Sequence, residues 1–574
     1  MRILAWALAA WLAFVWGGAA SLAAEQGAAA DSAADSAMVR CRRGVVVSVS
    51  GPASEVGLAT LRRGGNAIDA AVATALALAV TWPEAGNIGG GGYLLVMPGE
   101  GSEQKTPLVI DFREVAPAAA TRDMFVDPAG RTPHRRVGVP GTVRGLALAH
   151  ERLGRLPWKD VVRPAVELAA NGFVLEAATA SSINGVLATS DKTRFAELHR
   201  VYGPPAGQEK WRAGDRLVQP DLAKTLQRIA DQGADGFYAG EVAELLVAEM
   251  RRGGGLISAD DLAGYRAVVR EPVRGTYRGY EVLGVPPSSS GGTTLLEILN
   301  ILECFEPAER ASATNVHRMV EAMKRAYRDR ARYLGDPTVN EIPAKLIDKE
   351  YSRQLAATIG DRATPSAELA GDIVLTQESE QTTHFSVVDE DRTAVSVTYT
   401  LENSWGSRVV VPGAGFVLND EMNDFNWLPG VTDTQGRIGT DANLVRPGKR
   451  MLSSMCPTIL AKDGKPVLVT GSPGGRTIIN TVACVVTNVV DHKMSLREAV
   501  DAPRLHHAWF PDVIRMEQGW GKDSPELLAR LREMGHALAR PQQQGDAHSI
   551  WIDPETRELT GVADKRTAGA AAGY

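Results

Sequence analysis

Hydrophobic and polar positions divide the chain into a helical first part, an aperiodic stretch and a strand-rich last part. Near the start, "SEVGLATLRRGG" and "NAIDAAVATALALAVTWP" carry two helical patterns. Ser54 and Asn66 are the capping types expected at their N-termini, and Gly64-Gly65 is suited to ending the first helix. The second pattern is apolar nearly all round, which predicts a buried helix. "GNIGGGGYLLV" follows, with four consecutive glycines ahead of an apolar strand, a run that lets backbone approach a neighbour closely. It matches neither GxGxxG nor a P-loop, so it carries no dinucleotide or phosphate signal. "PLVIDFREVAP" (107–117) reads as a strand running out at Arg113 and Glu114. Helical periods alternate with Gly-containing turns from about 140 to 270. "GVPPSSSGGTTLLEILNILECF" is a loop entering an amphipathic helix near 293, and 311–335 is helical. "PSAELAGDIVLTQESEQ" then loses periodicity and reads as a loop or flexible arm.

From 382 the period changes to two. "THFSVVDEDRTAVSVTYTL" alternates polar and apolar residues on both sides of a short polar turn, the pattern of a hairpin. Pairing about Asp391 sets Thr382 opposite Thr400. Directly opposed residues have Cβ atoms about 4.5–5.5 Å apart, within hydroxyl hydrogen-bonding reach. Alternation puts Thr382, His384, Ser386, Ser396, Thr398 and Thr400 on one face and Phe385, Val387, Val395 and Val397 on the other. Helices are expected at about 476–491 and 523–537.

The hairpin raises a chemical question, because threonine is a poor nucleophile without a base. His384 shares the face of Thr382, but no Asp or Glu is spaced to orient it, so it reads as a hydrogen-bonded structural histidine. Scission of the Gln381–Thr382 bond supplies a different base: Thr382 acquires a free α-amine with a pKa of about 7.7–8.0. That amine can serve the threonine's own hydroxyl near neutral pH.

Composition changes the picture little. At 574 residues the chain is long enough for two domains or one large intertwined fold. Its 44% hydrophobic and 23% charged residues are those of a globular protein. A net charge of −6 and the lack of a basic stripe interleaved with aromatics argue against nucleic acid as a partner. The N-terminus differs: Arg2, an apolar run from Ile3 to Trp16 and small residues up to Ala23-Ala24 describe a secretory signal peptide over 1–24. This predicts a periplasmic or secreted protein, with a retained membrane anchor as the competing reading. Residues 25–42 read as a flexible lead. Four cysteines (Cys41, Cys304, Cys456, Cys484) make no disulfide scaffold, and Cys456 and Cys484 read as buried small hydrophobes.

Taken together, "TTHFSVVD", "AVSVTYTLENSWGS", "GFVLNDEMNDF", "KRMLSSMCPTI" and "GSPGG" resemble the small-subunit core of the gamma-glutamyltranspeptidase family. "DFREVAP" and "GNAIDAAVA" with "GNIGGGGYLL" resemble its large subunit, so the similarity runs from about residue 43 to the end. The resemblance implies an N-terminal nucleophile hydrolase: a four-layer αββα sandwich, α+β in class, built from two intertwined subunits after self-cleavage. It implies a large subunit of 43–381 and a small subunit of 382–574, with no cofactor and no metal. The implied reaction passes the γ-glutamyl group of glutathione and related compounds to Thr382, then to water or to an acceptor amino acid or peptide.

The resemblance also implies residue roles. Thr382 is the nucleophile and Thr400 hydrogen-bonds its amine. Arg113, Ser453 and Ser454 match carboxylate-binding positions; Glu402, Glu421 and Asp424 match ammonium-binding positions. Gly474 and Gly475 match the oxyanion hole, and Gln381 precedes the cleavage point. Glu402 and Glu421 stand where some members carry Asn and Gln, which implies a more acidic site. Gln435 stands where some members have an aromatic gate residue, within a stretch of lid length, and Thr383 has no clear role. The nearest rival is a relative that deacylates glutaryl-type β-lactam side chains; a glutaryl group lacks the α-ammonium and does not need three carboxylates there. A non-catalytic binding protein would lack Thr382 or the oxyanion glycines. A metallohydrolase is disfavoured because the ten histidines show no HExxH-like spacing, and His506-His507 reads as packing.

Overall fold

The computed structural model describes residues 37–102, 104–371, 382–433, 435, 439–520 and 524–574. The expected signal peptide, most of the expected lead, the end of the aperiodic arm and Gln381 lie outside the described residues.

Two seven-stranded sheets form the centre. One has the order Ala570–Gly573, Val45–Ser48, Thr383–Val388, Ala394–Thr400, Gly91–Met97, Leu108–Asp111 and Val268–Arg270. The other runs Met38–Cys41, Leu559–Val562, Ser549–Ile552, Lys465–Thr470, Thr458–Lys462, Tyr280–Gly284 and Val273–Tyr277. Neighbouring strands pair antiparallel throughout. Each sheet takes strands from both sides of residue 382, so neither side could complete a sheet alone. Val45, Val47, Tyr93, Leu95 and Val109 of the first sheet meet Leu283, Ile459, Val469 and Ile550 of the second in a central apolar layer. The outer faces of the sheets pack against helices in two further cores. The result is the αββα sandwich that the resemblance implies.

The helix Ala67–Thr81 is buried at every residue and begins with a capping box between Asn66 and Asp69, as its all-round apolar pattern predicts. Three local expectations need correction. The first helix begins at Gly51, with Ser50 rather than Ser54 at its N-cap, because Pro52 already has the backbone angle of a first helical turn. Ser54, inside the helix, donates instead to the Ala570 carbonyl at 2.9 Å. The helix Gly291–Glu303 has the polar stripe of an amphipathic helix in Thr294, Glu297 and Asn300, but that stripe does not face solvent, because the helix is buried over all of 291–302. It is covered by a sheet on one side and by the helices Ala313–Tyr333 and Thr477–Val490 on the other. The expected flexible lead ends early: Met38–Cys41 is a strand paired with Leu559–Val562, four residues being too short to leave a periodic signal.

The hairpin register matches the expected one. Thr383 pairs with Tyr399, His384 with Thr398 and Ser386 with Ser396. Continuing that register by one residue sets Thr382 opposite Thr400. Phe385, Val387, Val395 and Val397 enter the helix-facing core. The polar face does not meet solvent; it is pressed against the second sheet. There Ser386 Oγ donates to the His548 carbonyl at 2.8 Å and Ser396 Oγ to the Thr470 carbonyl at 3.0 Å. These bonds satisfy hydroxyls that would otherwise be costly to bury.

The glycine run explains how the hairpin is held. Gly91 and Gly92 pair with Thr400 and Tyr399. A Cβ on Gly90 would stand 2.0 Å from the Thr400 carbonyl oxygen, and one on Gly92 would stand 2.4 Å from that of Thr398. Only backbone without side chains fits so close. Asn87 closes the contact by donating to the Thr400 carbonyl at 2.9 Å while accepting from Gly90 N at 2.9 Å and Thr142 Oγ1 at 2.7 Å.

Candidate active site

One pocket is lined by Arg113, Thr382, Thr400, Glu402, Glu421, Asp424, Ser453, Ser454, Met455, Gly475 and Ile478. Apart from Gly474 and Gln381, every site residue expected from the sequence lines it. Gly474 adjoins Gly475, and Gln381 is outside the described residues.

Thr382 sits at the mouth of its strand, 8% exposed. Thr400 is held on both sides: its carbonyl by Asn87, as above, and its Oγ1 by the Glu402 amide at 2.8 Å. Glu402 adopts φ = 81°, a left-handed conformation that costs a non-glycine residue on the order of 1–3 kcal/mol. The turn aims its carboxylate into the pocket instead of continuing the strand. Beneath it, Asp420 accepts from Asn403 N at 3.1 Å, Asn403 Nδ2 at 2.8 Å and Asn423 Nδ2 at 2.7 Å, which fixes the loop carrying Glu421 and Asp424.

Arg113 is fully buried. Asp111 Oδ1 accepts from its amide at 3.0 Å, and Tyr265 donates to its carbonyl at 2.8 Å. The guanidinium donates to Glu421 through Nη1 and to Asp424 through Nη2, and Glu114 lies 3.7 Å away. Burial alone would lower its pKa, but Glu421, Asp424 and Glu114 outweigh that, so Arg113 stays cationic. The carboxylates feel the opposite pressure. Burial pushes Glu421 and Glu402 well above the usual carboxylate range; Arg113 opposes the shift at Glu421, and Asp420 and Asp424 add to it at Glu402. Burial lifts Glu114 to about 7, against the pull of Arg113.

Ser453 is held by the loop Ser288-Ser289-Ser290. Ser453 N donates to the Ser288 carbonyl at 3.1 Å, and Ser290 N donates to the Ser453 carbonyl at 2.8 Å. Ser453 Oγ accepts from Met455 N at 3.0 Å. The glycines follow the strand Lys465–Thr470 and immediately precede the helix Thr477–Val490. Gly474 and Gly475 have φ of 125° and 52°, and their carbonyls receive Thr477 N and Ile478 N at 2.9 and 3.1 Å. The amide end of that helix, with its positive dipole, therefore adjoins the pocket.

His384 is not part of this arrangement. Its Nδ1 and Nε2 are hydrogen-bonded to Thr398 Oγ1 and Ser386 Oγ at 2.9 and 3.1 Å, and burial drives its pKa well below the usual histidine value. It is the structural histidine the sequence predicts. His506 and His507 likewise serve packing, bonding to Asn480 at 2.7 Å and Asp512 at 3.2 Å. His317, Glu321 and His536 bring ligand-type atoms within 4.8 Å of one another. Protein partners already engage these side chains, however. His317 Nδ1 and His536 Nε2 share a hydrogen bond of 2.8 Å, and Glu321 takes Arg325 at 2.6 Å and Lys324 at 3.4 Å. A further cation would meet two resident ones there.

Sequence reasoning missed the supports: Asn87, Asp420, the Ser288–Ser290 loop and Arg330, which donates to Ser454 Oγ at 2.8 Å. It also left Glu114 without a role. Only Glu114, adjacent to Arg113, had a signal in the sequence.

A sequence profile of the family described as Gamma-glutamyltranspeptidase matches residues 53–574. The glutathione hydrolase proenzyme of Escherichia coli K12 is 45% identical over 553 residues, spanning 93% of each chain. That of Pseudomonas sp. strain A14 is 42% identical over 94% of this chain and 96% of its own. Among solved structures, cephalosporin acylase from Bacillus halodurans has a TM-score of 0.81 at 28% identity, covering 94% of this chain and 97% of that one. Helicobacter pylori gamma-glutamyltranspeptidase has a TM-score of 0.53 at 38% identity, covering 56% of this chain and 93% of that chain. With a buried arginine, three carboxylates, two serines and a threonine converging on one pocket of an αββα sandwich, the chain belongs to the gamma-glutamyltranspeptidase family.

Proposed function

We propose that this protein is a self-processing gamma-glutamyl hydrolase and transferase acting on glutathione and related γ-glutamyl compounds, with Thr382 as its nucleophile. Water cleaves the Gln381–Thr382 bond, leaving a carboxylate on Gln381 and an α-amine on Thr382. The division into a large subunit of 43–381 and a small subunit of 382–574 follows. Two observations support it: strands from both sides of 382 interleave in each sheet, so the halves stay together once cut, and the Helicobacter pylori chain is matched by 56% of this one, a share close to that of 43–381.

In turnover, Thr382 Oγ attacks the γ-carbonyl carbon and its proton passes to the α-amine. The tetrahedral oxyanion is met by the Gly474 and Gly475 amides, which act where charge develops. The C–N bond breaks, the departing amine takes the proton, and a γ-glutamyl ester remains on Thr382. Water or an acceptor amine then attacks that ester and restores the hydroxyl. The α-carboxylate binds Arg113, Ser453 and Ser454, and the α-ammonium binds Glu402, Glu421 and Asp424. Because Arg113 is paired with Glu421 and Asp424, the substrate binds by exchange: its carboxylate takes the guanidinium and its ammonium takes the freed carboxylates.

The observation that carries this reading is the convergence on one pocket of a threonine, a guanidinium and three carboxylates from segments some three hundred residues apart. The glutaryl-acylase reading has no use for those carboxylates. The test is N-terminal sequencing of the purified protein together with activity on γ-glutamyl and glutaryl anilides. A small chain beginning Thr-Thr-His-Phe and a preference for the γ-glutamyl substrate support the reading; a single uncut chain with full activity sinks it. Among the described residues no helix is long and apolar enough to cross a membrane. The signal sequence at 1–24 supports export to the periplasm or medium, checked by fractionation of cells expressing the full chain.

A further inference from the structure

We infer that Arg330 is a positioning residue that aims the Ser454 hydroxyl at the substrate's α-carboxylate; this rests on the reading of Ser454 given above. Arg330 lies in the long helix Ala313–Tyr333, is 1% exposed and does not line the pocket. Its Nη2 donates to Ser454 Oγ at 2.8 Å and its Nε to Ser290 Oγ at 2.8 Å. Ser290 Oγ in turn donates to the Ser453 carbonyl at 2.6 Å. One guanidinium therefore reaches the side chain of one carboxylate-binding serine and, through Ser290, the backbone of the other.

The consequence follows from what each group is able to do. A hydroxyl has one proton and two acceptor sites, and a guanidinium only donates. With Arg330 on its acceptor side, Ser454 must point its proton elsewhere, and the pocket is where it is needed. Ser453 is arranged alike: the Met455 amide occupies its acceptor side and leaves its proton for the same ligand. A hydroxyl oxygen already polarised by a cation is also a stronger donor. Arg113 is held by Glu421 and Asp424, so two hydroxyls held in the donating sense, with a second guanidinium behind one, give an incoming carboxylate its first attraction. The planar, two-pronged shape of arginine matters, because a lysine offers one compact donor head and could not hold Ser454 and Ser290 in the same geometry.

The test compares γ-glutamyl p-nitroanilide with 4-aminobutyryl p-nitroanilide, which lacks only the α-carboxylate. In Arg330→Gln, kcat/KM for the glutamyl substrate is expected to fall about tenfold or more, the scale of one hydrogen bond to a charged group. KM should rise more than kcat falls, while activity on the des-carboxy substrate changes less than about twofold. Ser454→Ala should lose the same discrimination, and Arg330→Gln added to Ser454→Ala should lose little more. If Arg330→Gln yields no two-chain protein, Arg330→Lys and Ser290→Ala carry the same comparison, with partial loss of discrimination expected in each. Equal losses on both substrates, or an unchanged ratio, would overturn the inference. If Ser454→Ala itself leaves the ratio unchanged, the reading of the carboxylate site fails; if it lowers the ratio and the Arg330 variants do not, only the present inference fails.

Discussion

Arg113 and Asp424 are ion-paired, although one is proposed to hold the substrate's carboxylate and the other its ammonium. The same guanidinium also holds Glu421, and the three side chains differ in freedom: Arg113 is 0%, Glu421 1% and Asp424 15% exposed. Asp424 is therefore the carboxylate best able to turn from arginine to ligand, and Glu421 the one most firmly kept.

That difference orders the effects of neutralising each acid. Asp424→Asn is expected to raise KM for a γ-glutamyl anilide by more than about thirtyfold, the scale of a lost charge-assisted bond. Glu421→Gln puts a neutral side chain of the same shape where burial already favours the neutral form, so KM should move by less than about tenfold. Steady-state kinetics of the two variants decide it, and the reverse order would rule out the exchange.

In the proposed mechanism, processing and turnover depend on one hydroxyl pair. Thr382→Ala should remain a single chain on a denaturing gel and show no activity. Thr400→Val removes the oxygen that accepts the Glu402 amide and faces Thr382, and should slow both chain scission and kcat at least about a hundredfold. Thr400→Ser, which keeps the oxygen, should stay within about tenfold of wild type.

The buried acid beside Arg113 predicts a pH effect on stability. Glu114 is raised by burial from the ordinary carboxylate value to about 7. Its neutral form is the one the fold prefers, so its contribution is fully present below about 4.5 and is lost as pH climbs through about 7. Glu114→Gln keeps the neutral shape at all pH values. Its melting temperature should therefore fall less than that of wild type between pH 5 and pH 8. Parallel declines in the two proteins would contradict this.

Glycine positions test the geometry around the oxyanion and the hairpin separately. In Gly474→Ala the new Cβ would lie 2.4 Å from Thr477 Oγ1 at a φ of 125°, which tilts the amide out of place. A fall in kcat of about 10² to 10³ with little change in melting temperature is expected. Gly90→Ala places its Cβ 2.0 Å from the Thr400 carbonyl, pushing on the strand itself. It should lower the melting temperature and leave the chain uncut, which a thermal melt and a gel show together.

Much of the site could be read from the chain because its signals are local or periodic. The alternation of "THFSVVDEDRTAVSVTYT" sets a register about Asp391, and one slip would exchange its faces, so the pattern alone sets Thr382 opposite Thr400. The four glycines point to a close backbone approach, and the pKa of an α-amine suits it to serve as base for the hydroxyl of an N-terminal threonine. What was not legible crosses between distant segments. No pattern relates Arg330 to Ser454, Asn87 to Thr400 or Ser290 to Ser453, because each pair is joined only when helices and loops close over the sheets.

The sequence by itself therefore determined the strand partner of Thr382, the family and the chemical types gathered in the pocket, since these depend on residue identity and short-range geometry. Only the tertiary structure decided how those charges stand against one another. It paired Arg113 with the acids expected to bind the substrate's other end, buried the polar face of the hairpin between two sheets and set a second guanidinium behind Ser454. Those outcomes depend on which groups lose water together, and desolvation is a property of the assembled fold rather than of any segment of the chain.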